Sequence, residues 1–203
     1  DLTDSDTFEY VVPVGKETVV VVPEALFPAF ESFTVGDYYD AKSQGVSIDA
    51  LSTQAVSEDV LSFSQFRIRT SSAVTFDRIG AEKTAGSGNS QLRLGIYTDS
   101  GNRPDLLISG SDAGALTFDT NAAVENTISI SLDPGVYWTA AVHSTVSRTY
   151  RAMNNIEGET LGTPTLGDTS NYFSVTATYA FSALPVNTGA LSMSLSTQDA
   201  LRI

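Results

Sequence analysis

Apolar and polar residues alternate with a period of two along much of the chain. The pattern is clearest at Leu92, Leu94, Ile96 and again at Ile128, Ile130, Leu132, where the intervening residues are polar or glycine. A period of two sends successive side chains to opposite faces, so each run reads as a strand with one wet face. Strands are predicted near 46–51, 60–70, 74–83, 91–97, 105–109, 115–119, 126–132, 135–143, 146–153, 172–181 and 190–196. Their number and spacing predict an all-β chain, an antiparallel β-sandwich of two sheets. Turn chemistry punctuates the runs. Asp133-Pro134-Gly135 carries the residues of a type II turn and Asp99-Ser100-Gly101-Asn102 tolerates positive φ, so each is expected to fix a hairpin, and Gly86-Ser87-Gly88-Asn89 reads as a hairpin connection too. The stretch 154–171, rich in Gly, Thr and Asn, is expected to be a surface loop of the length that often carries function.

The first stretch reads differently. Phe8–Val14 and Glu17–Val22 are β-rich, and Val19-Val20-Val21-Val22 lacks alternation. Such a run suits a strand covered on both faces or paired with another chain. A short helical turn over 23–30, opened by Pro23 and stopped by Pro28, follows it. These features predict an extended N-terminal arm over 1–37 and a sandwich domain over 38–203. The chain begins at Asp1 without an initiator Met or a leader pattern, which reads as a trimmed or excised start.

Composition narrows the chemistry. The 203 residues include 24 Asp and Glu against 11 Lys and Arg, for a formal charge of −13, with one His and no Cys. That balance repels phosphate backbones and anionic headgroups, so neither nucleic acid nor membrane insertion is expected. Without Cys there is no disulfide or thiolate, and one His makes no multi-histidine metal centre. His143 has no nucleophile-elbow context, and a carboxylate pair among 24 acids carries no signal, so no catalytic residue is assigned. Asp99, Asn102 and Asp105 crowd one turn with oxygen ligands, but their spacing is not that of an EF-hand, so no metal and no cofactor is expected.

Three ordered blocks carry a family resemblance: Phe76-Asp77-Arg78-Ile79-Gly80; Arg93-Leu94-Gly95-Ile96-Tyr97 with Asp99, Gly101, Pro104, Leu106 and Leu107; and Leu132, Pro134-Gly135 and Tyr137-Trp138. Together with Tyr38-Tyr39, Ser182-Ala183-Leu184-Pro185 and the terminal Leu201-Arg202-Ile203, this pattern resembles the β-sandwich module of tailed-bacteriophage tail-fibre, spike and baseplate-appendage proteins, also found in phage-derived particles. It covers about four fifths of the chain. The resemblance implies a jelly-roll-like sandwich, a homotrimer, a virion-surface and extracellular location, and contact with host cell-surface polysaccharide. The arm would then bind other virion proteins.

Residue by residue, the blocks also have structural readings. Phe76 and Ile79 are expected core anchors, and Asp77-Arg78 an exposed or cross-strand ion pair. Leu132, Val136, Trp138, Ala140 and Val142 are expected on one face, making Trp138 a buried pillar, while Tyr137 turns the other way, toward the face that would be the subunit interface in a trimer. Glycan recognition needs aromatic faces beside amide and charged hydrogen-bonding groups. Tyr150, Arg151, Asn154, Asn155 and Tyr172, around the long loop, are the candidate glycan-binding residues, with Arg148 adding positive charge. The competing reading has Tyr150 and Tyr172 holding the loop's base by packing. Three functions follow: host-surface glycan adhesion, structural decoration of the particle through the arm, and a carbohydrate-binding module of a secreted bacterial protein.

Overall fold

The computed structural model describes residues 51–68, 70–144, 148–153, 174–195 and 200–201, all within one compact unit, Glu31–Ile203. The arm over 1–37, its helical turn and the loop over 154–171 lie outside the described residues. Among those described there are twelve strands and no helix: β1 (Leu51–Val56), β2 (Val60–Ile68), β3 (Val74–Ala85), β4 (Ser90–Asp99), β5 (Pro104–Leu107), β6 (Ala115–Phe118), β7 (Ala123–Leu132), β8 (Gly135–His143), β9 (Arg148–Met153), β10 (Ser174–Thr178), β11 (Ser194–Leu195) and β12 (Ala200–Leu201). The all-β expectation holds. The first described strand starts where the predicted 46–51 run was to end, and the last two are shorter than or absent from the predicted set.

All pairings among the described residues are antiparallel. One sheet runs β1-β9-β3-β7, with β12 beside β9; the other runs β11-β10-β2-β8-β4-β5, with β6 beside β4. From β1 to β4 the chain changes sheet at every link, and it does so again from β6 to β9. That wrapping is jelly-roll-like. It also corrects two turn expectations. Asp133-Pro134 joins β7 to β8, and Gly86–Asn89 joins β3 to β4, in both cases across the sandwich. Neither is a hairpin, and Gly135 lies within β8 without the positive φ of a type II turn. The β4–β5 connection is a hairpin, with Gly101 and Asn102 both at positive φ and the Ser100 amide donating to the Arg103 carbonyl at 2.9 Å.

Two apolar clusters lie on opposite faces of the β2-β8-β4 sheet. The larger fills the sandwich: Leu92, Leu94 and Ile96 of β4 meet Ile79 of β3 and Ile128, Ile130 and Leu132 of β7. The alternation in the sequence sends these side chains inward, while Ser129 and Ser131 stay exposed. On the reverse face, Leu61, Phe63, Tyr97, Trp138, Ala140, Val142 and Val175 form a second core. Residues 179–193, here called the strap, lie against it through Leu184, Tyr179, Phe181, Leu191 and Met193. Leu132, expected beside Trp138, belongs to the first core, because β7 and β8 sit in different sheets. The central strands are thus covered on both sides, as in buried parallel sheets, rather than having one wet face.

Local chemistry explains how the strap sits. A Cβ on Gly95 would fall 2.5 Å from Leu184 Cδ1, so a side chain at position 95 would collide with the strap. Glycine inside a strand marks such close approaches. The Tyr97 hydroxyl donates to the Pro185 carbonyl at 2.7 Å, and the Leu184 amide donates to Asp112 Oδ2 at 3.0 Å. Asp112 Oδ1 in turn accepts from Arg93 Nε at 3.1 Å. Trp138 is the buried pillar expected of it, fully enclosed, with its indole N–H donating to Asp99 Oδ1 at 2.7 Å.

Candidate functional site

Strand β9 carries the two described members of the expected glycan site, and the pleat separates them. Tyr150 points inward, in register with Lys83 of β3. It is completely buried and packs edge-on against Phe118, with ring centroids 5.4 Å apart. Its hydroxyl lies 2.5 Å from His143 Nε2 and 3.3 Å from Ser90 Oγ. Burial raises the Tyr150 phenol above its ordinary pKa, so it stays neutral. A ring with no exposed face stacks on no sugar. Tyr150 is therefore corrected from the expected glycan platform to a core residue, in keeping with the packing reading. Asn154, Asn155 and Tyr172 lie outside the described residues.

Arg151 faces the other way, onto the outer face of the β1-β9-β3-β7 sheet. Its Nε and Nη2 donate to Glu82 Oε2 and Oε1 of β3 at 3.1 and 3.0 Å. This paired geometry holds the guanidinium charged, and the Glu82 hydrogen bond raises its pKa. Further along β3, a bulge between Phe76 and Arg78 interrupts the register with β7. It leaves Asp77 and Arg78 both exposed, with Arg78 Nε on Asp77 Oδ1 at 3.0 Å and Arg78 Nη1 reaching Glu125 Oε1 of β7 at 3.5 Å. The hydrogen bond from Arg78 lowers the Asp77 pKa. The Asp77-Arg78 pair is thus the exposed one of the two expected forms, and the contact across strands is made by Arg78 with Glu125. Bulges re-aim side chains where a strand must present them. With Thr75, Thr127, Ser129 and Ser131 also exposed, this outer face is a polar surface bearing two ion-paired groups. Its donors and acceptors suit hydroxylated or charged ligands.

What the site lacks among the described residues is an exposed ring. Phe66, Phe76, Tyr137, Tyr179 and Phe181 are half-buried, and the other described aromatic residues are buried. Tyr137, expected on a subunit interface, packs on Phe66 with centroids 5.7 Å apart and donates to the Asp133 carbonyl at 2.9 Å. Its side chain lines the first core. The Asp99 carboxylate, considered as a cation ligand, accepts from Trp138 and from the Asn102 amide at 3.3 Å. Among the described residues no group of three or more His, Cys, Asp or Glu gathers to hold a metal. No described helix is long and apolar enough to cross a membrane.

Sequence reasoning missed the polar cluster inside the first core. Lys83 is almost completely buried, and its Nζ donates to the Gly88 carbonyl at 2.9 Å. The alternation Ile79, Ala81, Lys83 already placed it on the inward face. The residue type argues against the position the alternation assigns, because a lysine is seldom fully buried. His143, Tyr150 and Ser90 complete the cluster, all enclosed. Comparison with known proteins finds no family model that matches the chain and no curated protein similar to it.

Proposed function

We propose that this chain is a non-enzymatic β-sandwich module of a virion surface appendage, a tail fibre, spike or head fibre, that recognises a host-surface glycan. One observation carries the reading: the residues of its phage-appendage-like blocks occupy scaffold positions. Phe76 and Ile79 pack in the first core, Gly95 makes room for the strap, and Trp138 is the pillar of the second. The apolar and glycine positions of the blocks therefore fit a displayed scaffold, and the recognition surface would lie on the loops and on the outer face around Arg151, where the exposed Asp77 and Arg78 of the first block also stand. The enclosed position of His143 supports a non-catalytic role. Assembly as a homotrimer, attachment through residues 1–37 and a place on the extracellular particle surface belong to the same proposal.

The deciding experiment is binding of fluorescent full-length protein to host cells, with purified surface polysaccharide as competitor and a variant lacking residues 1–37 beside it. Saturable binding, abolished by polysaccharide and spared by the deletion, is the expected result. A folded protein that binds no cell would move the assignment to structural decoration of the particle. That second reading is favoured by the lack of an exposed aromatic ring among the described residues, since sugar recognition commonly stacks on one. A monomeric mass by light scattering at micromolar concentration would remove the trimer.

A further inference from the structure

We infer that the strap, residues 179–193, is a latch that opens as a unit while the jelly roll beneath it stays folded. The inference is independent of what the protein binds.

The two apolar clusters have no residue in common, and the strap packs in the second alone. The first core, between the sheets, keeps its members whether or not the strap is in place. The strap also contributes little to either sheet. Its ladder contact is an isolated bridge, Asn187 opposite Leu106, flanked by the Leu107 amide on the Val186 carbonyl at 2.9 Å and the Thr188 amide on the Asp105 carbonyl at 3.0 Å.

What holds it is a short series of point attachments. At its start, the Tyr179 amide donates to the Asp59 carbonyl at 2.8 Å and the Phe181 amide to Asp59 Oδ1 at 2.9 Å. At its centre, Leu184 fills the space over Gly95, its amide on Asp112 and the Pro185 carbonyl on Tyr97. Toward its end, the Thr188 hydroxyl donates to the Pro104 carbonyl at 2.5 Å. Of the apolar side chains it lays on the second core, only Leu184 is buried; Tyr179, Phe181, Leu191 and Met193 are partly exposed. A segment with one buried anchor and few ladder bonds belongs to the low-stability end of a fold and opens before the core strands do. Leu184 is the bolt of this latch, and opening uncovers a sheet face bearing Phe63, Tyr97 and Trp138.

Native-state hydrogen exchange on the full chain tests this. In the unmodified protein, the amides of Tyr179, Phe181, Leu184, Thr188 and Leu107, whose bonds belong to the strap, should exchange together and faster than those of the β2–β8 ladder. Gly95→Ala, which drives a methyl against Leu184, should raise exchange at that set by roughly ten- to a hundredfold, the effect of one overpacked methyl. Amides of β2 and β8 should stay unchanged, and emission from Trp138, the only tryptophan, should shift to the red. Equal protection of strap and ladder amides in the unmodified protein would overturn the inference, even if Gly95→Ala failed to fold. A parallel rise in both sets in the variant would overturn it too, because the strap would then be part of a single cooperative unit.

Discussion

Replacing Tyr150 with Phe separates packing from recognition at one atom. The ring stays, and with it the edge-on contacts to Phe118 and to His143, whose centroid is 4.9 Å away. What disappears is the hydroxyl that meets His143 Nε2 at 2.5 Å and Ser90 Oγ at 3.3 Å inside the core. Taking a partner from a buried polar group costs about 1–3 kcal/mol, because water does not replace it. The Ser90 contact is long and adds little, so the expected loss for Tyr150→Phe is about 1–3 kcal/mol. Tyr150→Ala removes the ring as well and should cost about 3–5 kcal/mol, the range for emptying an aromatic core site. Urea unfolding followed by circular dichroism reads both losses as a lowered midpoint. Polysaccharide binding, measured on the folded protein, should not change in Tyr150→Phe. An unchanged midpoint together with abolished binding would refute the buried assignment and return Tyr150 to a ligand surface.

Three further outcomes follow from the same geometry. Burial raises the phenol pKa of Tyr97 and Tyr150, both fully enclosed. The folded state therefore holds these protons more tightly than the unfolded chain, stability is complete below about pH 10 and falls above it, by up to about 1.4 kcal/mol per pH unit for each phenol. Absorbance at alkaline pH should show these phenols ionising only as the protein unfolds; ionisation of the intact fold near pH 10 would contradict it. Asp99→Ala takes the acceptor from the Trp138 indole and from the Asn102 amide, so it should destabilise by about 1–3 kcal/mol and alter tryptophan emission, and an unchanged denaturation curve would count against the pillar's hydrogen bond. Arg151→Ala removes a pair whose side chains are 30% and 40% exposed and should change stability by less than about 1 kcal/mol, so a loss of glycan binding in that variant would report recognition rather than unfolding.

Much of the fold was legible because one face of each outer strand is wet. Ile128, Ile130 and Leu132 alternate with exposed Thr and Ser, and that pattern alone places them inward. Strand pairing was not legible from turn residues. Asp133-Pro134-Gly135 reverses the chain whether the next strand lies beside the last or in the opposite sheet, so turn chemistry does not distinguish a hairpin from a crossing. The candidate site was legible in type and not in direction. Tyr150 and Arg151 are adjacent, the pleat sends them to opposite faces, and a one-residue uncertainty in strand register exchanges their roles.

The second core had a signal of its own. Ile96-Tyr97 in β4 and Ala140-Ala141-Val142 in β8 break the alternation by setting apolar residues side by side, and every one of these five residues is buried. A strand that loses alternation is covered on both faces. The first face has the opposing sheet, so a further segment had to cover the second. Gly95 indicates where that segment comes closest, since in a strand flanked by Leu94 and Ile96 a glycine without positive φ has no backbone reason to be there. Its reason is Leu184, 89 positions later in the chain and within van der Waals reach of the missing side chain. A sequence records such a contact as one small residue among large ones, and only the folded chain names its partner.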